Sequence, residues 1–211
     1  MSTSIGTPIE YRLFSESKSV LMNDFLHKQI EINWTGNIFC SKCSKKTKRS
    51  FGEGFCYPCF ISAPEASPCI IKPELCQAHW GIGRDIEFEE KHHNKPHIVY
   101  LAATDKAKVG VTRDTQVPTR WIDQGANKAI VLAQTPNRYL AGVTEVALKS
   151  FYSDKTNWRS MLKNLQDESI DLVEEKWKCH DLLPQDLQQY FTENDDILEL
   201  NYPVNKFPEK I

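Results

Sequence analysis

The sequence predicts an α+β fold in two parts: a small four-cysteine module with flanking strands, and a mainly antiparallel three-stranded sheet with helices. Three observations lead to this prediction. Two C-x2-C motifs lie between residues 40 and 59, two short β-type runs lie between residues 98 and 113, and apolar residues recur at helical spacing from 137 to 152. With 211 residues and 40% hydrophobic content, the chain is long enough to form a packed core.

The two C-x2-C motifs are formed by Cys40 with Cys43 and by Cys56 with Cys59. Two residues between the thiols of each pair let both sulfurs face one ion, and four thiolates leave no open position for chemistry. We therefore predict one structural zinc ion in a zinc ribbon spanning residues 38–60. A thioredoxin-like redox motif would need a single C-x-x-C beside a βαβ unit, so it does not explain a matched pair.

A second group of cysteines and histidines follows the ribbon at irregular spacing. Thiolate and imidazole ligands together suit a mixed zinc site. The candidate ligands of a second zinc ion are Cys69, Cys76, His79 and His92, the last of which is followed directly by His93. The alternative, buried free cysteines with surface histidines, stays open.

Flanking strands are predicted at residues 9–14, 28–34 and 197–204, where β-type runs occur. The 28–34 strand would lead into the first cysteine pair, and the last strand would return to pair near the N-terminus. We divide the chain into an N-terminal zinc-binding region (1–96), an α/β domain (97–165) and an acidic helical extension with a C-terminal strand (166–211).

The α/β domain is predicted from a continuous series of patterns. Residues 98–103 and 108–113 form a β-hairpin, Pro118 begins a helix that stops at Gly125, and residues 129–133 form a third strand. A helix follows from residue 137 or 138 to 152, and another begins at Trp158. The resulting order is ββαβαα.

Five polar residues stand in order along this series. Tyr100 ends IVY, Lys108 begins KVG, Arg120 begins RWIDQGA, Glu145 lies in GVTEVALK and Asn157 lies in KTNW. This order resembles the GIY-YIG nuclease superfamily, and the zinc ribbon in front of it makes the chain similar to an uncharacterised bacterial family of that superfamily. Lys108 stands where the superfamily has its second tyrosine.

The resemblance implies a metal-dependent endonuclease whose catalytic residues are Tyr100, Lys108, Arg120, Glu145 and Asn157. Hydrolysis of a phosphodiester needs an activated water and neutralisation of negative charge. In this scheme Glu145 holds Mg²⁺ or Mn²⁺, and Tyr100 is a general base whose pKa is lowered by the cation of Lys108. Arg120 contacts phosphate and Asn157 positions the substrate. The alternative is a module of the same fold that binds nucleic acid or protein without catalysis.

The net charge of −2 gives no overall attraction to nucleic acid, but residues 42–49 contain five basic residues and no acidic one. We expect phosphate contacts, with DNA more than RNA, from this loop and from the hairpin. The residues concerned are Lys45, Lys46, Lys48, Arg49 and Arg113. A solvated loop with nothing bound is the alternative.

No run of residues is apolar enough for a membrane span and the start lacks the order of a secretion signal, which favours a cytoplasmic protein without a membrane partner. The pattern does not specify an oligomeric state.

Overall fold

The computed structural model describes residues 1–15, 18–152, 159, 163 and 169–204. Its first sheet contains β1 (Ser2–Ser4), β2 (Glu10–Phe14) and β3 (Ser19–Leu21), all antiparallel. The Asn23 side chain closes this sheet, because it accepts from the backbone N–H of Tyr11 and donates to the carbonyl of Ile9. The predicted strand at residues 9–14 is confirmed.

The strand predicted at residues 28–34 is wrong, because these residues, all of them described, have no regular secondary structure. Ile32 is 86% exposed and Trp34 is 76% exposed. A strand is stable only when it pairs with a neighbour and covers a core. The apolar run in this segment does neither.

The ribbon region is built from very short elements. They are β4 (Ile38–Phe39), β5 (Lys46–Thr47) and α1 (Tyr57–Ser62), with β4 and β5 antiparallel. Four 3-10 turns follow, and then α2 (Ile86–His92), whose N-terminus is capped by Asp85 Oδ1 accepting from the backbone N–H of Phe88 at 3.0 Å.

The central sheet contains β6 (His97–Ala103), β7 (Ala107–Arg113), β8 (Lys128–Thr135) and β9 (Ile197–Glu199). Its order is β7-β6-β8-β9 and every pair is antiparallel. The predicted hairpin is confirmed, but the sheet has four strands where three were predicted. The late strand pairs with β8, and just beyond it the carbonyl of Asn201 accepts from the N–H of Ile9, which joins the two sheets.

Helices cover both faces of the central sheet. They are α3 (Thr119–Asp123), α4 (Arg138–Leu148), α5 (Leu172–Leu182) and α6 (Gln185–Gln188). Successive residues of β6 point to opposite faces. Val99 and Leu101 pack in the core that includes α4 and α5, whereas Ile98 and Tyr100 pack against α3. The helix predicted from Trp158 falls on residues of which only 159 and 163 are described.

Candidate functional site

A cleft of about 790 Å³ lies against β7, α3 and α4. The opposite wall comes from the segment that follows the ribbon and from α2. The polar and charged residues on its lining are Glu53, Glu65, His92, His93, Thr112, Arg113, Gln116, Thr119, Arg120, Asp123, Gln124, Arg138, Glu145 and Lys149. Residues far apart in the chain thus meet in one concave surface.

Two of the predicted catalytic residues, Arg120 on α3 and Glu145 on α4, line this cleft. Glu145 is only 8% exposed, and Lys149 Nζ lies 3.7 Å from its Oε2 one helical turn later. Arg113, predicted as a phosphate contact, also lines the cleft from the end of β7. The fold therefore brings a carboxylate and two guanidinium groups to the same surface.

Tyr100 lies beneath this surface and is 1% exposed. Its hydroxyl donates to Gln124 Oε1 at 2.6 Å. Tyr100 pairs with Gly110 across the hairpin, where a Cβ would lie 2.6 Å from the tyrosine oxygen. Only glycine leaves room for the hydroxyl in this position. Sequence reasoning missed Gln124, although it lies four residues after Arg120.

The pKa of Tyr100 is raised to about 12, mainly by burial; Arg120 opposes this rise and the negative charge of Glu145 adds to it. Tyr100, Arg120 and Glu145 are therefore close enough for their charges to interact. The predicted lowering of the Tyr100 pKa is wrong, because desolvation of the phenolate outweighs the nearby guanidinium.

Lys108 does not perform the predicted role of a cation beside Tyr100. It lies opposite Ala102, closer to the turn of the hairpin, and its Nζ is 3.2 Å from Asp105 Oδ1. The described lining of the cleft does not include it. The ion pair with Asp105 stabilises the turn instead. Asn157 lies outside the described residues.

His92 is a cleft residue that was predicted as a zinc ligand. Arg113 Nη1 donates to its Nδ1 at 2.5 Å. A guanidinium can only donate, so Nδ1 accepts and the neutral ring carries its proton on Nε2. Burial, and after it the charge of Arg113, lowers the pKa of His92, which keeps the ring neutral. No sequence pattern shows this pair, because it depends on how α2 packs beside β7.

The four ribbon cysteines Cys40, Cys43, Cys56 and Cys59 form one cluster, and their sulfur atoms all lie within 4.8 Å of one another. Cys43 Sγ and Cys56 Sγ are 3.8 Å apart, which matches the edge of about 3.8 Å expected for a tetrahedron with Zn–S bonds of ~2.3 Å. Hydrogen bonds from the backbone of Cys43 and Cys56 lower the pKa of Cys40, which favours its thiolate. The cluster can hold a metal ion such as zinc.

A second cluster contains Cys69, Cys76, Glu89 and His93, whose ligand atoms also lie within 4.8 Å of one another. Two members of the predicted set, His79 and His92, are not part of it. The His79 ring stacks on Tyr139 with centroids 4.6 Å apart, and His92 pairs with Arg113. Glu89 belongs to the cluster because it lies one helical turn before His93, the residue that follows α2, and both side chains lie close to the two cysteines.

The chain was compared with known families, curated proteins and solved structures. One family model, described as "Protein of unknown function (DUF2797)", matches residues 27–211. The chain belongs to this family. No curated protein and no solved structure matches it. The match begins after β3. The matched region therefore includes both cysteine clusters and the whole cleft but not the N-terminal sheet.

The basic loop of the DUF2797 region does not reach the cleft. Lys45, Lys46, Lys48 and Arg49 are exposed, and the described lining includes none of them. Arg49 lies over the Phe51 ring instead, 4.9 Å from its centroid. The described part of the chain also has no helix with the length and apolar character of a membrane span.

Proposed function

We propose that the protein is a divalent-metal-dependent nuclease that hydrolyses phosphodiester bonds in the cleft, and that its four-cysteine cluster holds a structural zinc ion. The observation that carries the proposal is the meeting of Arg120 and Glu145, from two separate helices, on one surface above Tyr100. This is the arrangement that the resemblance to GIY-YIG nucleases implies. The same arrangement also suits phosphate chemistry on physical grounds.

Arg113 and Arg120 are the groups of this cleft that fit a phosphodiester best. Each offers a planar fork of donors that matches two phosphate oxygens, and each keeps its charge at any accessible pH. Arg138 also lines the cleft, but its Nε and Nη2 donate to the carbonyls of Cys69 and Ile70. Arg113 donates from Nε and Nη1 to Gln116 and His92, but these partners are side chains of the cleft lining and not backbone carbonyls. We therefore assign the phosphate contacts to Arg113 and Arg120 and a structural role to Arg138.

Glu145 is the group that fits a divalent cation. Its carboxylate lies on the lining of the cleft, and Asp123 on α3 offers a second one. Mg²⁺ and Mn²⁺ prefer oxygen ligands and keep several waters, so one or two carboxylates with substrate oxygens complete such a site. The ion would neutralise negative charge on the phosphate and lower the pKa of a bound water.

Tyr100 is not suited to act as a general base at neutral pH. With a pKa of about 12, its hydroxyl keeps its proton at neutral pH and donates to Gln124. We assign Tyr100 the task of positioning Gln124 on the cleft lining. His92, neutral and with a proton on Nε2, is a further uncharged donor on this surface.

The proposal is tested by incubating the full chain with supercoiled plasmid and Mg²⁺ or Mn²⁺. Nicking should fall by about 10²- to 10³-fold in Glu145→Gln and in Arg120→Ala, because each change removes charge stabilisation at the reacting phosphate. Glu193→Gln is the matched control, since Glu193 is exposed and far along the chain from the cleft-lining residues. Equal nicking by the wild type and Glu145→Gln would reject the nuclease.

A binding module on the same fold is the second candidate, favoured by the raised pKa of Tyr100 and the remote position of Lys108. It predicts a gel shift without nicking, lost in Arg113→Ala and Arg120→Ala. Affinity that falls steeply with salt would indicate phosphate contacts. A response that is flat with salt would count against nucleic acid as the ligand.

A further inference from the structure

We propose that Cys69, Cys76, Glu89 and His93 bind a second zinc ion, separate from the four-cysteine site, and that this ion fixes one wall of the cleft. The inference does not depend on the proposed nuclease activity. It rests on the geometry of the four side chains and on the contacts of the segment that carries them.

The four ligand atoms lie within 4.8 Å of one another, close enough to bind one ion. Cys69 Sγ lies 3.8 Å from His93 Nδ1, close to the edge of about 3.6 Å expected for a tetrahedron with Zn–S of ~2.3 Å and Zn–N of ~2.1 Å. The same Nδ1 contacts Glu89 Oε2. A ring nitrogen, a thiol sulfur and a carboxylate oxygen therefore converge on one point, which is the arrangement of ligands around a cation.

All four residues are buried: Cys69 is 7% exposed, Cys76 2%, Glu89 3% and His93 3%. A buried carboxylate beside two thiols is unfavourable unless a cation or a full set of hydrogen bonds compensates for lost hydration. Two thiolates and an imidazole select zinc over Mg²⁺ or Ca²⁺, which prefer oxygen ligands alone. Four protein ligands leave no open position, so the ion would be structural.

A disulfide between Cys69 and Cys76 is the competing interpretation of the two cysteines. Both are free thiols in the structure. A disulfide would give no reason for Glu89 and His93 to be buried with their polar atoms directed at the sulfurs. A zinc ion accounts for all four side chains together.

The proposed ion lies directly behind the cleft. Arg138, the first residue of α4, donates from its side chain to the carbonyls of Cys69 at 2.9 Å and Ile70 at 2.8 Å. Its backbone N–H donates to the carbonyl of His93 at 2.9 Å. Ile70, His93 and Arg138 all line the cleft. Cross-linking residues 69, 76, 89 and 93 would therefore hold this wall against the helix that carries Glu145.

Zinc content of the purified full chain, measured by inductively coupled plasma mass spectrometry, tests the proposal. We expect two zinc ions per chain in the wild type and one in Cys69→Ser/Cys76→Ser. Cys179→Ser is the matched control, because Cys179 is a buried free cysteine outside both clusters, and it should keep two ions. A wild type with one zinc ion, lost in Cys56→Ser/Cys59→Ser, would overturn the proposal.

Cobalt replacement gives a readout that does not require the Cys69→Ser/Cys76→Ser variant to fold. In the Cys56→Ser/Cys59→Ser chain, Co²⁺ should give a tetrahedral d–d spectrum with the charge-transfer intensity of two thiolates. Glu89→Gln keeps the size of the side chain and should shift that spectrum, whereas His79→Asn should leave it unchanged. A cobalt spectrum without tetrahedral bands, or one that Glu89→Gln does not alter, would contradict the ligand set.

Discussion

The hydroxyl of Tyr100 is buried beneath the cleft, and its surroundings determine its ionisation. The pKa of Tyr100 is raised to about 12, and the largest cause is that burial removes the charged phenolate from water. The folded state thus binds this proton more tightly than the unfolded chain, whose tyrosines titrate near 10. The contribution to stability is complete below pH ~10 and is lost as the pH rises from ~10 to ~12.

The wild type should therefore lose about 3 kcal/mol from Tyr100 over that pH window, as two pKa units imply. Tyr100→Phe lacks the titrating group, so its free energy of unfolding should fall less between pH 10 and 12. Urea denaturation at several pH values measures the difference. Tyr57→Phe, at an exposed position, is the control and should follow the wild type. An equal loss of unfolding free energy in Tyr100→Phe and in the wild type would contradict a raised pKa at Tyr100.

The sequence was informative for side chains whose role depends on local spacing and less so for those that depend on distant partners. The spacing of the four ribbon cysteines was enough to predict their cluster, and the motif order identified Arg120 and Glu145, which the structure places on the cleft. The sequence did not show that His93, and not His92, belongs to the second cluster, because this depends on which face of α2 lies against Cys69. That information comes from tertiary packing alone.

Gly142 shows how closely α4 packs on the segment between Cys69 and Cys76. A Cβ at this position would lie 2.2 Å from the backbone nitrogen of Glu74 and 2.4 Å from the carbonyl carbon of Pro73. Glycine inside a helix normally costs about 1 kcal/mol relative to alanine. Here it is required because two backbones meet.

Gly142→Ala should therefore destabilise the protein by about 3 kcal/mol or more, opposite in sign to the helix preference. Thermal or urea denaturation measures it. Val146→Ala, at an exposed position of the same helix, is the matched control and should change stability by less than about 0.5 kcal/mol. A Gly142→Ala protein as stable as the wild type would show that α4 does not pack on this segment.

The ribbon has too little core to fold without its cluster. Its buried residues are Cys40 and Phe55, which pack with Ala63 just beyond the ribbon, and its two strands have two residues each. A small unit of this kind takes its folding free energy from metal binding. If the cluster holds zinc as we propose, removal of the ion should leave the central sheet intact, because that sheet has a separate core.

Hydrogen exchange with and without a chelator measures this difference. We expect amides at 38–60 to lose protection when the metal is removed, while those of β6 and β8 keep theirs. Protection that persists at 38–60 in the metal-free protein would contradict a metal-dependent ribbon. Global loss of protection would contradict the independence of the central sheet.

Element types in the α/β region were predictable because each has a strong local signal. Alternation and turn chemistry indicated the hairpin, and helical spacing indicated α4. The run at 28–34 had the same composition but no partner strand, and β9 could be recognised as a strand without showing that it pairs with β8. Pairing is a long-range property that a local pattern does not contain.

Across the whole molecule, a net charge of −2 gives no general attraction to a polyanion. The nuclease that we propose would therefore have to bind nucleic acid through the local arrangement of Arg113 and Arg120 on the cleft lining, with a cation at Glu145. Strand β7 and the helices α3 and α4 carry these groups. Activity should accordingly depend on metal at Glu145 and not on overall charge.

The most direct test is the single-turnover cleavage rate of an end-labelled DNA duplex, measured against Mn²⁺ concentration for the wild type and Glu145→Gln. We expect a rate that rises with Mn²⁺ and saturates in the wild type, and one at least about 10²-fold lower in Glu145→Gln. Cleavage that is independent of Mn²⁺, or equal in the two proteins, would contradict metal-dependent hydrolysis at Glu145.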